Sequence, residues 1–176
     1  YFKSLIMKKE NSIIIGSGVI GSYLAKLLIT KKHNVVVTSR KIKKNYLNYK
    51  KLNIEKKILF EKLDILKKKD ILRIINKYNP DNIFYFSGQS SLTKSIKLKK
   101  ITNESNYIGA KNFLEILNKY KIESKFYKAN SGYIFEQNNG LINLSSAFSK
   151  NSNPYIQSQI KAYKEVKKFR KKGVNC

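Results

Sequence analysis

The run Ile13-Ile14-Ile15 passes without a gap into Gly16-Ser17-Gly18-Val19-Ile20-Gly21 and then into Ser22-Tyr23-Leu24-Ala25-Lys26-Leu27-Leu28. No other stretch constrains the fold as tightly. A short apolar run that ends at glycine reads as a buried strand, and the apolar spacing after it reads as a helix. The G-x-G-x-x-G turn between them is how a chain presents backbone N–H groups at a helix N-terminus to a phosphate. Gly16 supplies the tight turn, Gly18 lets the backbone approach a pyrophosphate, and Gly21 lets the helix pack close to the strand. The stretch predicts a dinucleotide cradle, with Ser17, Val19 and Ile20 completing its backbone.

The rest of the chain repeats the alternation. Strands are expected at Ser12–Ile15, Asn34–Thr38, Lys57–Phe60, Asn82–Phe86 and Ser124–Ala129, and helices at Val19–Thr30, Lys67–Tyr78, Lys99–Tyr120 and Tyr155–Arg170. In the second helix Ile71, Ile74, Ile75 and Tyr78 fall on one face. Residues Ile42–Glu55 read as an irregular Lys- and Asn-rich connection with weak helical character. The alternation predicts an α/β fold, a Rossmann-like doubly wound parallel sheet with helices on both faces. Ligands of such sheets lie beyond the strand C-termini. The glycine loop, Thr38-Ser39-Arg40, Asp64-Ile65, Phe86-Ser87-Gly88-Gln89 and Asn130-Ser131 all follow strands, so they should converge on one edge.

Length and composition bound the alternatives. The 176 residues suit one domain with a real core, and no apolar run reaches the ~20 residues of a membrane span. Met7-Lys8-Lys9 reads as a start, which makes residues 1–8 a disordered or read-through extension and residues 9–176 a NAD(P)-binding domain incomplete at its C-terminus. The formal charge of +26 suggests nucleic acid, yet of 37 basic residues only Arg40, Arg73 and Arg170 are arginines. Base and phosphate readers favour arginine's fork, so the lysines read as a solvated surface and nucleic acid is not the expected partner. Cys176 is the single cysteine and His33 the single histidine. They exclude an internal disulfide and a Cys/His metal cluster and fit a reducing cytoplasm.

The second strand exits into Thr38-Ser39-Arg40-Lys41, where NAD-preferring folds place a carboxylate for the ribose 2′-hydroxyl. Ser39, Arg40 and Lys41 suit a 2′-phosphate instead, so NADP is favoured over NAD. Asp64 can accept from an adenine amino group, although it also suits a helix start before Lys67–Tyr78.

These residues together resemble the extended short-chain dehydrogenase/reductase family of sugar-nucleotide epimerases and dehydratases, and within it the GDP-mannose 4,6-dehydratases. The likeness is carried by Gly21-Ser22-Tyr23-Leu24-Ala25, Val35 to Arg40-Lys41, Asp64-Ile65, Ile71 to Ile75, Pro80-Asp81-Asn82-Ile83 and Gly88-Gln89-Ser90. It continues through Ile108-Gly109-Ala110, Phe113-Leu114-Glu115, Phe126-Tyr127-Lys128-Ala129 and Asn153-Pro154-Tyr155. The resemblance implies hydride transfer from the sugar C4 to a nicotinamide and then loss of water, with a GDP-mannose-like nucleotide sugar as substrate. It makes Tyr155 the base and Ser131 the hydroxyl beside it. It also implies a homodimer through the helices near 99–120 and 155–170, and a C-terminal substrate domain that this chain lacks, so the chain reads as an N-terminal fragment.

Three positions depart from the pattern. Ile15 stands where the family's first loop glycine is expected. Gln159 stands where a lysine should follow the tyrosine by four residues. Tyr133 stands where the dehydratases carry a glutamate. A tyrosine base needs a nearby cation to favour its charged form, and Gln159 is neutral. Tyr155 and Gln159 lie ~40° apart on a helix, whereas Lys161 lies a further ~200° round and Lys164 lies ~180° from Tyr155. Neither lysine is a natural replacement. Glu136 is the one carboxylate near Tyr133. The departures leave open a second reading, a catalytically impaired or non-catalytic dinucleotide-binding homologue.

Overall fold

Residues 9–136 and 141–176 are described by a computed structural model; the extension expected at residues 1–8 lies outside the described residues. Five parallel strands form one sheet in the order β3-β2-β1-β4-β5. They are β1 (Asn11–Ile15), β2 (Asn34–Ser39), β3 (Leu59–Lys62), β4 (Asn82–Tyr85) and β5 (Lys125–Lys128). The order reverses between β1 and β4, which opens a crevice beyond their C-terminal ends. The doubly wound arrangement expected from the alternation is present.

The strand residues alternate between two cores. Ile13, Ile15, Val36, Ile83, Tyr85 and Phe126 face α3 (Lys68–Tyr78) and α6 (Gly109–Lys119), against Ile71, Ile74, Phe113 and Leu117. Ile14, Val35 and Val37 face the other way, against Ala25 and Leu28 of α1 (Val19–Thr30) and Tyr49 of α2 (Leu47–Lys51). A third cluster of Ile134, Phe135, Ile156 and Ile160 lies under the start of α7 (Pro154–Arg170). No helix among the described residues is long and apolar enough to cross a membrane.

Local departures from the expected elements have physical causes. The third strand starts at Leu59 instead of Lys57. Its register is set by pairing Val36 with Leu59, and Glu55–Lys57 instead form a 3-10 turn. The connection expected to be irregular contains α2, whose Tyr49 fills a buried site beside Tyr46 and Phe60. The long helix near residues 99–120 is α5 (Lys99–Asn103) and α6 joined by one π-helical turn, Glu104–Ile108. A further helix, α4 (Leu92–Lys97), is capped by Ser91, whose side chain accepts the Lys94 N–H. Beyond α7 the chain turns back, and the Phe126 N–H of β5 donates to the Asn175 carbonyl.

The edge strand β3 is tied to α3 by one carboxylate. Glu61 accepts from Lys77 Nζ at 2.5 Å, Tyr78 Oη at 2.6 Å and Arg73 Nη1 at 3.5 Å. Burial opposes its ionisation, but these three hydrogen bonds outweigh it and hold the carboxyl below its ordinary value of 4.5. A carboxyl depressed on folding stabilises the fold above its unfolded value, and that stability is lost as pH falls through the folded value. Glu61→Gln should therefore lower the urea midpoint near neutral pH, and the gap to wild type should close as the pH drops below about 4.5.

Candidate functional site

The glycine loop is shaped by close approach. Gly16 has φ +110°, and a Cβ there would lie 3.0 Å from the Ser87 nitrogen and 3.1 Å from the Phe86 carbonyl carbon. A Cβ on Gly21 would lie 2.6 Å from the Gly16 carbonyl oxygen, so α1 sits directly on the loop it follows. Gly18 differs, for nothing lies within 4 Å of where its Cβ would be. It is the N-cap of α1 and provides no side-chain cap, and the first turn holds no acidic residue. The leading N–H groups of a helix have no intrahelical partner. Here they face open space at the positive end of the helix dipole, which favours an anion.

A trench runs from this loop in both directions along the C-terminal edge of the sheet. One arm, about 340 Å³, is lined by Gly16, Ser39, Arg40, Asp64, Ile65 and Glu104, among others. The other, about 450 Å³, is lined by Gly18 to Gly21, Phe86, Lys128, Asn130, Tyr155 and Gln159, among others. Ser87, Gly88 and Gln89 line both arms and join them. Each arm falls within the size range of small-molecule sites.

In the first arm Arg40 is exposed, and among the described residues no carboxylate pairs with it. The Ser39 hydroxyl donates to the Lys41 carbonyl and lies 3.3 Å from Tyr46 Oη, so it is engaged within its own turn. Asp64 Oδ1 accepts the Leu66 N–H at 3.1 Å in an Asx turn, and the residue lines the cavity. Ser17 and Lys41 lie outside the lining of both arms.

The joint between the arms is built from polar residues of the π-helical turn. Asn106 is buried; its Nδ2 donates to the Gln89 carbonyl at 3.0 Å and to Ser158 Oγ of α7 at 3.1 Å. Ser105 Oγ accepts the Gln89 N–H at 3.1 Å. A π turn often marks a functional site, and this one fixes the Ser87–Gln89 loop against α7.

The start of α7 is set by Asn153, which accepts the Tyr155 N–H at 2.9 Å while Pro154 takes the first helical position. Asn153 is held in turn by Ser95 Oγ and by the Leu92 carbonyl of α4. These contacts put Tyr155 and Gln159 on the same lining. Ser131 and Tyr133 lie outside it. Ser131 Oγ accepts the Tyr133 N–H at 3.3 Å as cap of a 3-10 turn, and the Tyr133 side chain is 51% exposed. The Glu136 N–H bonds the Ala147 carbonyl, and its side chain is not part of either arm. Asn130 lines the arm, as its place after the fifth strand suggests, while sequence reasoning missed Asn106 and Lys128 as site residues. Asn130 and Lys128 flank the end of β5, where the strand-end rule points.

The family model of GDP-mannose 4,6 dehydratase matches residues 13–174. The chain is similar to solved structures of UDP-glucose 4-epimerase from Thermotoga maritima with UDP-glucose, with TM-score 0.78, 22% identity and coverage of 93% of this chain and 52% of that one. It is similar to the Thermus thermophilus UDP-glucose 4-epimerase in complex with NAD, with TM-score 0.78, 21% identity and coverage of 93% and 52%. It is also similar to L-threonine dehydrogenase from Clostridium difficile, with TM-score 0.77, 23% identity and coverage of 95% and 51%. The chain thus spans about half the length of these structures, and at such identities the likeness is one of fold. No curated protein sequence matches the chain.

Proposed function

We propose that this chain, which belongs to the GDP-mannose 4,6 dehydratase family, binds a nicotinamide dinucleotide and serves an enzyme that modifies a nucleotide sugar at its C4. The observation that carries this reading is the trench, which puts an exposed arginine at one end, an anion cradle at the centre and a tyrosine at the other. The geometry at Gly18 fits the cofactor, since any side chain there would fill the space the pyrophosphate needs. Gly18 to Gly21 would hold that pyrophosphate. Asp64 and Ile65 would flank the adenine, and Gln159 would meet the nicotinamide ribose. Residues 9–176 are read as the NAD(P)-binding unit, in a protein of the cytoplasm that pairs through α5, α6 and α7.

A nicotinamide held by these residues would supply the hydride acceptor. The chain's own part is the proton. As the C4–H bond breaks with both its electrons, the Tyr155 oxygen, acting as phenolate, would take the proton of the 4-hydroxyl, leaving a neutral phenol and a 4-keto group. Ser131 adjoins the lining residue Asn130 without lining the arm itself; its Oγ accepts within its turn and keeps its hydrogen, and it is read as the hydroxyl that would steady the same oxygen once substrate is bound. Loss of water needs a further base, and Tyr133 stands at the dehydratase glutamate position. That residue favours a second reading, a dinucleotide-binding homologue that has lost dehydration. GDP-mannose with NADP⁺ is the first pair to assay, with UDP-glucose beside it. Formation of a 4-keto sugar supports the enzyme, and its absence with tight NADP⁺ binding supports the second reading.

Arg40, exposed after β2 and without a carboxylate partner among the described residues, supports the reading that the cofactor is NADP. Arg40→Ala should weaken NADPH binding by roughly tenfold or more and leave NADH within about twofold, because a charge-assisted phosphate contact is lost. Fluorescence titration of both cofactors checks this. Equal affinity of the wild type for the two contradicts it.

A further inference from the structure

Lys128 ends β5 and reaches across the trench to α7. Its Nζ donates to Gln159 Oε1 at 2.9 Å and to the Ala129 carbonyl. An ammonium has donors and no acceptor, so the Gln159 oxygen must face Lys128 and its NH2 group must face away. Among the described residues Lys128 is the one partner of that amide. Gln159 is 6% exposed and lines the same arm as Tyr155.

We propose that Lys128 is the positioning cation of the nicotinamide end, acting through Gln159, and that the pair takes the place of a lysine one turn after Tyr155. The proposal rests on the dinucleotide reading above.

The charge inventory supports it first. Of the residues lining this arm, Lys128 is the only charged one. Its titratable neighbours there are Tyr85 of β4, whose ring centroid is 5.8 Å from Nζ, and Tyr155 of α7. The lining residues from the glycine loop, α1, the π turn and the loop after β4 are all neutral. A cation alone in a cleft acts on whatever acceptor enters it.

The hydrogen-bond chemistry supports it next. A charge-assisted bond to the amide oxygen draws electron density from the NH2 group and makes that group a better donor. A ribose hydroxyl or a tyrosine oxygen is the kind of acceptor it suits. The cost of the arrangement points the same way. Desolvation pushes the Lys128 ammonium down from its ordinary value to about 8, and an apolar side chain of equal length would fill the site without that penalty. A protonated Lys128 therefore prevails below pH 8 and is lost above it.

The test is calorimetric titration of the chain with NADP⁺ and with adenosine 2′,5′-bisphosphate, from well below to well above pH 8. The second ligand keeps the 2′-phosphate and lacks the nicotinamide half, so it controls for titration of the phosphate. NADP⁺ affinity should fall roughly tenfold as pH rises through about 8, with proton uptake on binding near the midpoint. Lys128→Met should bind NADP⁺ with the weaker affinity at every pH, without the step, and should bind the bisphosphate as wild type does. The swap of Lys128→Gln with Gln159→Lys should restore NADP⁺ affinity. A pH step that persists in Lys128→Met, unchanged NADP⁺ affinity in that variant, or a folded swap no better than the single variant would overturn the proposal. A wild type that binds neither ligand overturns the dinucleotide reading itself, and this proposal with it.

Discussion

Tyr155→Phe is expected to lower turnover of the nucleotide sugar between about a hundredfold and ten-thousandfold while leaving NADP⁺ affinity within about twofold of wild type. The separation follows from where the hydroxyl sits. The ring of Tyr155 packs against the cluster of Ile134, Phe135, Ile156 and Ile160, and phenylalanine keeps that packing. Its backbone N–H remains capped by Asn153. Only the phenolic oxygen is removed, and with it the acceptor proposed for the 4-hydroxyl proton. Single-turnover measurement of NADPH formation, run beside a binding titration, checks both halves. Turnover that survives in the variant rules out Tyr155 as the base.

The second large effect is structural and lies at the loop. A methyl group on Gly21 would stand 2.6 Å from the Gly16 carbonyl oxygen. That neighbour is backbone, fixed by the Gly16 N–H bond to the Thr38 carbonyl at 3.1 Å, so it cannot swing aside. Gly21→Ala must push α1 off the sheet, and overpacking of this kind costs typically 1–3 kcal/mol. We expect a loss of about 2 kcal/mol in urea unfolding and loss of measurable dinucleotide binding, because the cradle is the start of that helix. Gly18→Ala is the contrast. Its methyl group meets open space, so the cost is that of alanine in place of glycine at an N-cap, roughly 0.5–1 kcal/mol. Its stability should fall clearly less than that of Gly21→Ala while its affinity falls. Equal stability losses in the two variants would contradict the packing described at Gly21.

The elements nearest the glycine loop were the most legible in the sequence. Val19–Thr30 is helical over the range its residues suggest, because the strand, the glycines and the apolar spacing all agree there. Agreement weakens where tertiary contacts decide. The third strand starts where β2 pairs with it, which its own residues do not encode. The π turn at Glu104–Ile108 looks in sequence like ordinary helix, and it is the contacts of Asn106 with the Gln89 carbonyl and Ser158 that single it out. α4 is too short to leave a periodic signal, yet it steadies the cap beneath Tyr155.

The same limit explains Lys128. A search for a cation near Tyr155 along its own helix reaches only Lys161 and Lys164, and both are exposed, with Lys164 over the Phe148 ring. The cation comes instead from a strand across the trench, a meeting of residues 31 positions apart. No spacing rule couples those positions. The one signal available was that Lys128 sits at a strand end on the ligand edge, and the abundance of lysine in this chain hid it.

A crystal structure of the chain with NADP⁺ tests the account most directly. It should place the 2′-phosphate at Arg40, the pyrophosphate over Gly18 at the start of α1, and the nicotinamide ribose within hydrogen-bonding distance of the Gln159 NH2 group, with Lys128 still on the amide oxygen. A dinucleotide bound in the reverse sense, or bound away from the C-terminal edge of the sheet, would contradict it.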